Sequence, residues 1–206
     1  MNKVKICGIT NIEDALLCAK LKVDFIGFIF YKKSPRFIDP EDAKDICKML
    51  ANFSIKKVGV FVDESSSYIN SIGEKVNLDY VQLHGEESPN LIEEIRLETI
   101  KAFSISSKRN KDFEKYNSKY WLFDTFDKDF KGGTGKSFDW SLISEIADRE
   151  KIILSGGLNL ENIGNAIKES KTSFFDICSG VEKSPGVKDV QKLETIVGLI
   201  KSWART

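Results

Sequence analysis

The chain of 206 residues has a single histidine, His84, and four cysteines, Cys7, Cys18, Cys47 and Cys178, with no CxxC spacing among them. Any Ser-His-Asp or Cys-His triad would have to run through that one imidazole, a His-rich metal centre is excluded, and neither a zinc site nor a disulfide framework is suggested. An excess of charge of one sign is also missing. The 31 Lys and Arg balance 31 Asp and Glu and no basic block stands out, so the long-range field that draws proteins to nucleic acid or anionic membranes is absent. No apolar run approaches the roughly 20 residues of a spanning helix. The opening Met-Asn-Lys-Val-Lys-Ile-Cys passes straight into an apolar strand without a signal-peptide core. These absences predict a cytoplasmic protein with no nucleic-acid or membrane partner, whose chemistry rests on carboxylates, thiols and backbone groups.

What the sequence does contain is a regular alternation. Eight short β-branched or aromatic runs recur, at Val4–Ile9, Phe25–Phe30, Lys57–Val62, Tyr80–His84, Thr99–Ile105, Tyr120–Thr125, Lys151–Ser155 and Phe174–Cys178. Most are apolar almost throughout, the pattern of parallel strands covered on both faces. Helical stretches with start signals lie between them. Thr10 and Glu13 form a capping box, Asp39-Pro40-Glu41 places an N-cap before a proline at the first helical position, Ser88-Pro89 repeats that arrangement, and Asn159 is placed to cap the stretch of Ile163, Ala166 and Ile167. Strand followed by helix, repeated eight times over this length, suits an open doubly wound sheet or a closed barrel, and the count favours a (β/α)8 TIM barrel. A barrel this small leaves little room for insertions, and residues 1–206 are expected to form one domain.

The active site of such a barrel gathers where strands end and βα loops begin. After the seventh run come Ser155-Gly156-Gly157-Leu158-Asn159, and after the eighth Cys178-Ser179-Gly180-Val181-Glu182. A lone glycine most often serves a tight turn, but glycine turns on adjacent strands favour a phosphate cradle built from backbone N–H groups, which a neutral protein can form. Cys7 ends the first strand beside Gly8, whereas Cys18 and Cys47 fall inside amphipathic helices and read as packing. Asp124 follows the apolar run Tyr120 to Phe123, so a low-dielectric wall is expected to raise its pKa, although a carboxylate capping loop amides is about as common. Arg36, held behind Pro35 in a cationic loop, invites a carboxylate partner. For His84 the commoner role is a ring satisfied by nearby backbone.

The motifs Lys5-Ile6-Cys7-Gly8-Ile9-Thr10, Gly27-Phe28-Ile29-Phe30-Tyr31 with Ser34-Pro35-Arg36, Val81-Gln82-Leu83-His84-Gly85-Glu86, Phe123-Asp124-Thr125, Gly132-Gly133-Thr134-Gly135-Lys136, Leu154-Ser155-Gly156-Gly157-Leu158 and Ser179-Gly180-Val181-Glu182 occur in one order along the chain. In this the chain resembles the phosphoribosylanthranilate isomerases. The resemblance implies a TIM barrel that converts N-(5-phosphoribosyl)anthranilate to 1-(2-carboxyphenylamino)-1-deoxyribulose 5-phosphate in tryptophan biosynthesis, by an Amadori rearrangement without metal or organic cofactor. It also implies Cys7 as general base, Asp124 as general acid and Arg36 for the substrate carboxylate. The loops of Gly156 and Gly157 and of Ser179 and Gly180 would take the phosphate. His84 is kept as a substrate-binding residue, and Asp176 as one that meets either a sugar hydroxyl or backbone. Cys178 stands where the family more often has a small hydroxyl residue. The glycine-bearing loop from Asp127 to Ser137 is expected to close over substrate. A monomer is expected, with a homodimer left open. The rival readings are another phosphosugar isomerase on the same scaffold, a phosphoribosyl-ligand sensor without turnover, and a thiol redox protein using Cys7.

Overall fold

Near-continuous apolar strands need cover on both faces, and a barrel ringed by helices supplies it. The computed structural model describes residues 2–105, 111–125, 140–144, 146 and 148–203. Each expected strand is present, its ends displaced by at most a residue or two. The strands are β1 (Lys3–Cys7), β2 (Phe25–Ile29), β3 (Lys56–Phe61), β4 (Tyr80–Leu83), β5 (Glu98–Ile105), β6 (Tyr120–Thr125), β7 (Ile152–Leu154) and β8 (Phe174–Ile177). They pair in parallel and in sequence order, and β8 returns to β1 to close the barrel.

The helices are α1 (Ile12–Lys20), α2 (Pro40–Met49), α3 (Ser66–Val76), α4 (Pro89–Glu93), α5 (Ser141–Ser144), α6 (Ile163–Ser170) and α7 (Val190–Ser202). Among the described residues the connection from β5 to β6 has a 3-10 turn, Lys111–Lys115, rather than an α-helix. None of the described helices is long and apolar enough to cross a membrane. Beyond β8 lies a short antiparallel hairpin, β9 (Glu182–Ser184) and β10 (Val187–Lys188), which is not among the expected strands.

Two of the caps differ from expectation. The N-cap of α1 is Asn11, whose side chain accepts from the Asp14 N–H, while the Thr10 hydroxyl is drawn away to donate to the Gly186 carbonyl. Asn159 accepts from the N–H groups of Glu161 and Asn162, so it caps the turn before α6 and not the helix itself, which begins after Asn162. Asp39 caps α2 as expected, with Pro40 in the first turn. Ser88 precedes α4 without a side-chain cap bond.

Successive residues of a strand alternate between the two faces. Outward side chains such as Ile6, Phe28, Phe61, Leu83 and Phe175 pack against buried helix residues including Ala15, Ile69 and Ile196. Inward ones fill the barrel in layers drawn from alternate strands. The lowest layer comes from the first residues of the even strands, Phe25, Tyr80, Tyr120 and Phe174, whose rings meet with centroids 4.8–6.3 Å apart. Lys3 adds its ammonium to the Tyr120 and Phe174 faces. Above this plug come aliphatic chains of the odd strands, Val58, Ile100 and Ile153.

At the mouth, a buried strut ties loops to the wall. Lys101 Nζ on β5 is 2.9 Å from Glu87 Oε2 and donates to the Gly85 carbonyl at 2.7 Å. The Glu87 carboxylate in turn accepts from the backbone N–H groups of Gly85 and Asp63. The loops after β3 and β4 are thereby fixed to β5.

Candidate active site

The C-terminal ends of the strands bring Cys7, Cys178, His84 and Asp124 to one rim. Cys7 and Cys178 follow the paired positions Ile6 and Ile177 of adjoining strands, so their thiols lie side by side. Cys7 is buried, at 6% exposure, and Cys178 is half-buried. The neighbouring Cys178 thiol holds the Cys7 thiol well below its usual range; burial opposes this, and the ammonium groups of Lys5 and Lys188 reinforce it. The same interaction pushes Cys178 well upward, with burial adding to the shift. The Cys178 thiol itself donates to Glu182 Oε1 at 3.9 Å. Of the two thiols, Cys7 is therefore the one whose surroundings favour ionisation. Cys18 and Cys47, inside their helices, are buried and their thiols are pushed up to about 12 by desolvation, which fits the packing role expected of them.

Lys188 Nζ donates to the Cys7 carbonyl at 2.6 Å and contacts Glu182 Oε1 at 2.9 Å. Glu182 also takes Arg36 in a fork, with Nε 3.0 Å from both carboxylate oxygens and Nη2 2.7 Å from Oε2. Arg36 thus finds its first carboxylate partner within the chain. The pairing raises Arg36 and, with Lys188, lowers Glu182 against the effect of its burial. A guanidinium held by Nε and Nη2 has a fixed plane at the rim.

Across the barrel, Tyr120, Trp121, Leu122 and Phe123 form the expected apolar wall. The Asp124 carboxylate, however, is 30% exposed, and its Oδ2 faces His84 Nε2 at 3.6 Å. His84 has side-chain partners instead of the backbone ones expected: its Nδ1 lies 2.8 Å from Gln82 Nε2. Burial works to lower the His84 pKa, but Asp124 outweighs it and the net shift is upward.

Asp176 meets neither a backbone group nor the open rim. Its Oδ2 is 2.8 Å from Lys5 Nζ inside the barrel, with the lysine fully buried and the aspartate 5% exposed. Desolvation raises Asp176 to about 7 even though Lys5 pulls the other way. Lys5 itself is raised, because Asp176 and Cys7 more than reverse the effect of burial.

Gly156 and Gly157 both adopt left-handed φ, at 90° and 64°, which is strained for any residue with a Cβ. The Gly157 carbonyl accepts from Asn162 Nδ2 at 2.9 Å. A Cβ on Gly180 would run into the Leu158 carbonyl oxygen, so the loops after β7 and β8 are packed against each other. Ser179 and Gly180 begin a short 3-10 turn there. The Gly132 to Lys136 motif, and with it the loop from Asp127 to Ser137 expected to close, lies outside the described residues.

Residues 4–198 match the family model described as N-(5'phosphoribosyl)anthranilate (PRA) isomerase. The chain belongs to the PRA isomerase family. An N-(5'-phosphoribosyl)anthranilate isomerase from Aquifex aeolicus is 42% identical over 204 residues, which cover 98% of this chain and 100% of that protein. The crystal structure of the isomerase from Thermotoga maritima matches with a TM-score of 0.90 at 41% identity, covering 98% of this chain and 100% of that one. A PRA isomerase structure in complex with reduced 1-(o-carboxyphenylamino)-1-deoxyribulose 5-phosphate matches with a TM-score of 0.84 at 39% identity over the same shares. Membership places the chain among the isomerases of tryptophan biosynthesis.

Sequence reasoning had missed Lys5, Gln82, Glu182 and Lys188. Three of these stand inside motifs already singled out, but a charged or polar residue in a strand reads as solvent-facing until the barrel closes around it.

Proposed function

We propose that this chain isomerises N-(5-phosphoribosyl)anthranilate to 1-(2-carboxyphenylamino)-1-deoxyribulose 5-phosphate by an Amadori rearrangement, with Cys7 as general base and Asp124 as general acid. The observation that carries the reading is the buried Cys7 thiol flanked by the Lys5 ammonium at the same barrel mouth as the Asp124 carboxylate, surroundings that lower the thiol. Ring opening needs a proton on the furanose oxygen, which Asp124 donates as the anilino nitrogen pushes its electron pair to C1 and the C1–O bond breaks. The Cys7 thiolate then removes the proton from C2 of the iminium, and the C–H electrons neutralise the nitrogen. The resulting enolamine tautomerises to the aminoketone.

The normal pKa order of a thiol and a carboxyl is the reverse of what this requires. The cations around Cys7 and the thiol beside it supply one half of the inversion. His84, against Asp124, is placed to exchange a proton with it. Arg36, its plane set by Glu182, is assigned to the substrate carboxylate, and the backbone of Gly156, Gly157, Ser179 and Gly180 to the phosphate. Asp176 lies deeper, under Cys7, and is better assigned to the base than to a sugar hydroxyl.

The test is to generate the substrate in situ and follow the decay of its anthranilate fluorescence with wild-type protein and with Cys7→Ala. Rapid decay with wild type alone is expected. Equal decay with both would remove Cys7 from the mechanism, and decay with neither would favour another phosphosugar reaction or a sensor.

A further inference from the structure

Lys5 occupies an inward position of β1 in the layer of Val58, Ile100 and Ile153, where a (β/α)8 barrel ordinarily packs a branched aliphatic side chain. It is fully buried, and its ion pair with Asp176 is equally dry. Enclosing two such charges gains little stability, because desolvation offsets their attraction and an aliphatic pair of similar volume would do as well or better. Among the described residues Asp176 Oδ1 is buried without a hydrogen-bond partner, so the pair is not optimised as a structural bond.

Its placement suggests another use. Lys5 and Cys7 are two residues apart on one strand and point to the same face. A methyl group on Gly27 of neighbouring β2 would lie 2.8 Å from Cys7 Sγ and 3.3 Å from Lys5 Nζ. The bare glycine leaves room for sulfur and ammonium to flank one point. The other charged groups around the sulfur are committed elsewhere. Lys188 from β10 is held by Glu182 and the Cys7 carbonyl, and Arg36 from the loop after β2 is forked onto Glu182. Cys178 beside it donates its thiol hydrogen to Glu182, and His84 and Asp124 face one another. Among the described residues Lys5 Nζ pairs with Asp176 and lies beside the sulfur.

We propose that Lys5 is a positioning residue whose ammonium, anchored by Asp176, is the counter-charge that keeps the Cys7 sulfur ionised and aimed into the barrel mouth. The role deepens the reading of Cys7 as general base and rests on it. Lys5 touches no substrate and acts through Cys7. Asp176 has a double effect: it holds the ammonium in place, and when ionised it offsets part of that charge. The two partners should therefore move the thiol in opposite directions. Losing Lys5 raises the titration of Cys7, and neutralising Asp176 lowers it. A pair that served only packing would produce no such opposition.

The experiment measures the rate of iodoacetamide alkylation at Cys7 against pH, read by mass spectrometry of the Cys7 peptide, in wild type, Lys5→Met and Asp176→Asn. Lys5→Met is expected to shift the midpoint upward by about one pH unit or more. It should also lower kcat at neutral pH by about tenfold with KM nearly unchanged. Asp176→Asn is expected to shift the midpoint downward. An unchanged midpoint in Lys5→Met, or shifts of the same sign in both variants, would overturn the proposal. Should Lys5→Met fail to fold, Asp176→Asn decides: a lower midpoint supports the proposal, and an equal or higher one defeats it. Alkylation requires no turnover, so failure of the general-base reading would show separately, as activity retained in Cys7→Ala while the midpoints still move apart.

Discussion

The thiols of Cys7 and Cys178 lie side by side across the β1–β8 seam, and their interaction drives them apart in acidity, Cys7 downward and Cys178 upward. Hydrogen bonds to a charged group are worth about 1.5–3 kcal/mol, which corresponds to roughly one to two pH units of thiol titration. Cys178→Ala should therefore raise the Cys7 midpoint by about that amount and slow turnover at neutral pH. Cys178→Ser keeps a donor and should stay near wild type. Alkylation profiles of the two variants make the comparison, and identical midpoints would deny the contact its effect.

Glu182 serves two cations at once, Arg36 and Lys188. Replacing it by Gln leaves both without their anion in a buried setting, a loss of about 3 kcal/mol. Thermal melting should show a clear fall in midpoint. Because Arg36 loses its fixed plane, the KM for the anthranilate substrate should rise severalfold, with kcat less affected. A melt and a KM both equal to wild type would remove the fork from the design of the rim.

Gly180 has no space for a side chain against the Leu158 carbonyl. Gly180→Ala should push the loops after β7 and β8 apart and weaken binding of a phosphate-bearing product analogue by about tenfold, or about 1.4 kcal/mol, as read by calorimetry. Unaltered affinity would place the phosphate elsewhere.

Asp176 is raised to about 7, chiefly by desolvation, from an ordinary value near 4. A raised carboxyl binds its proton more tightly in the folded than in the unfolded state. Its contribution to stability is therefore complete below about pH 4 and is lost as the pH rises to about 7. Asp176→Asn removes this dependence. The melting temperature of wild type relative to Asp176→Asn should fall between about pH 4 and 7 and level off above. A constant difference across that range would mean that Asp176 does not titrate there.

Much of the fold could be read along the chain because strands covered on both faces are apolar nearly throughout, as in Tyr120–Thr125, which the structure reproduces end to end. The hairpin of β9 and β10 escaped notice since Glu182–Ser184 and Val187–Lys188 are short and largely polar, without a hydrophobic period. Cys7, Asp124 and Arg36 stood out by position at strand ends or the loops beyond. Lys5 and Lys188 did not, as burial alone distinguishes them from surface lysines, and burial belongs to the closed barrel. The cap of α1 moved by one residue because two overlapping signals, Thr10 with Glu13 and Asn11 with Asp14, compete, and Gly186 claims the Thr10 hydroxyl.

The aromatic plug of Phe25, Tyr80, Tyr120 and Phe174 makes the barrel a cup sealed at its base. Lys5, Asp176 and Cys7 lie above that plug, on the side of the rim. A substrate seated on that rim would cover them, so a hydrogen lifted from C2 is shielded from exchange until the product departs. Deuterium placed at C2 should accordingly be carried into the product in part, and widening the base through Tyr120→Ala should increase its washout to water.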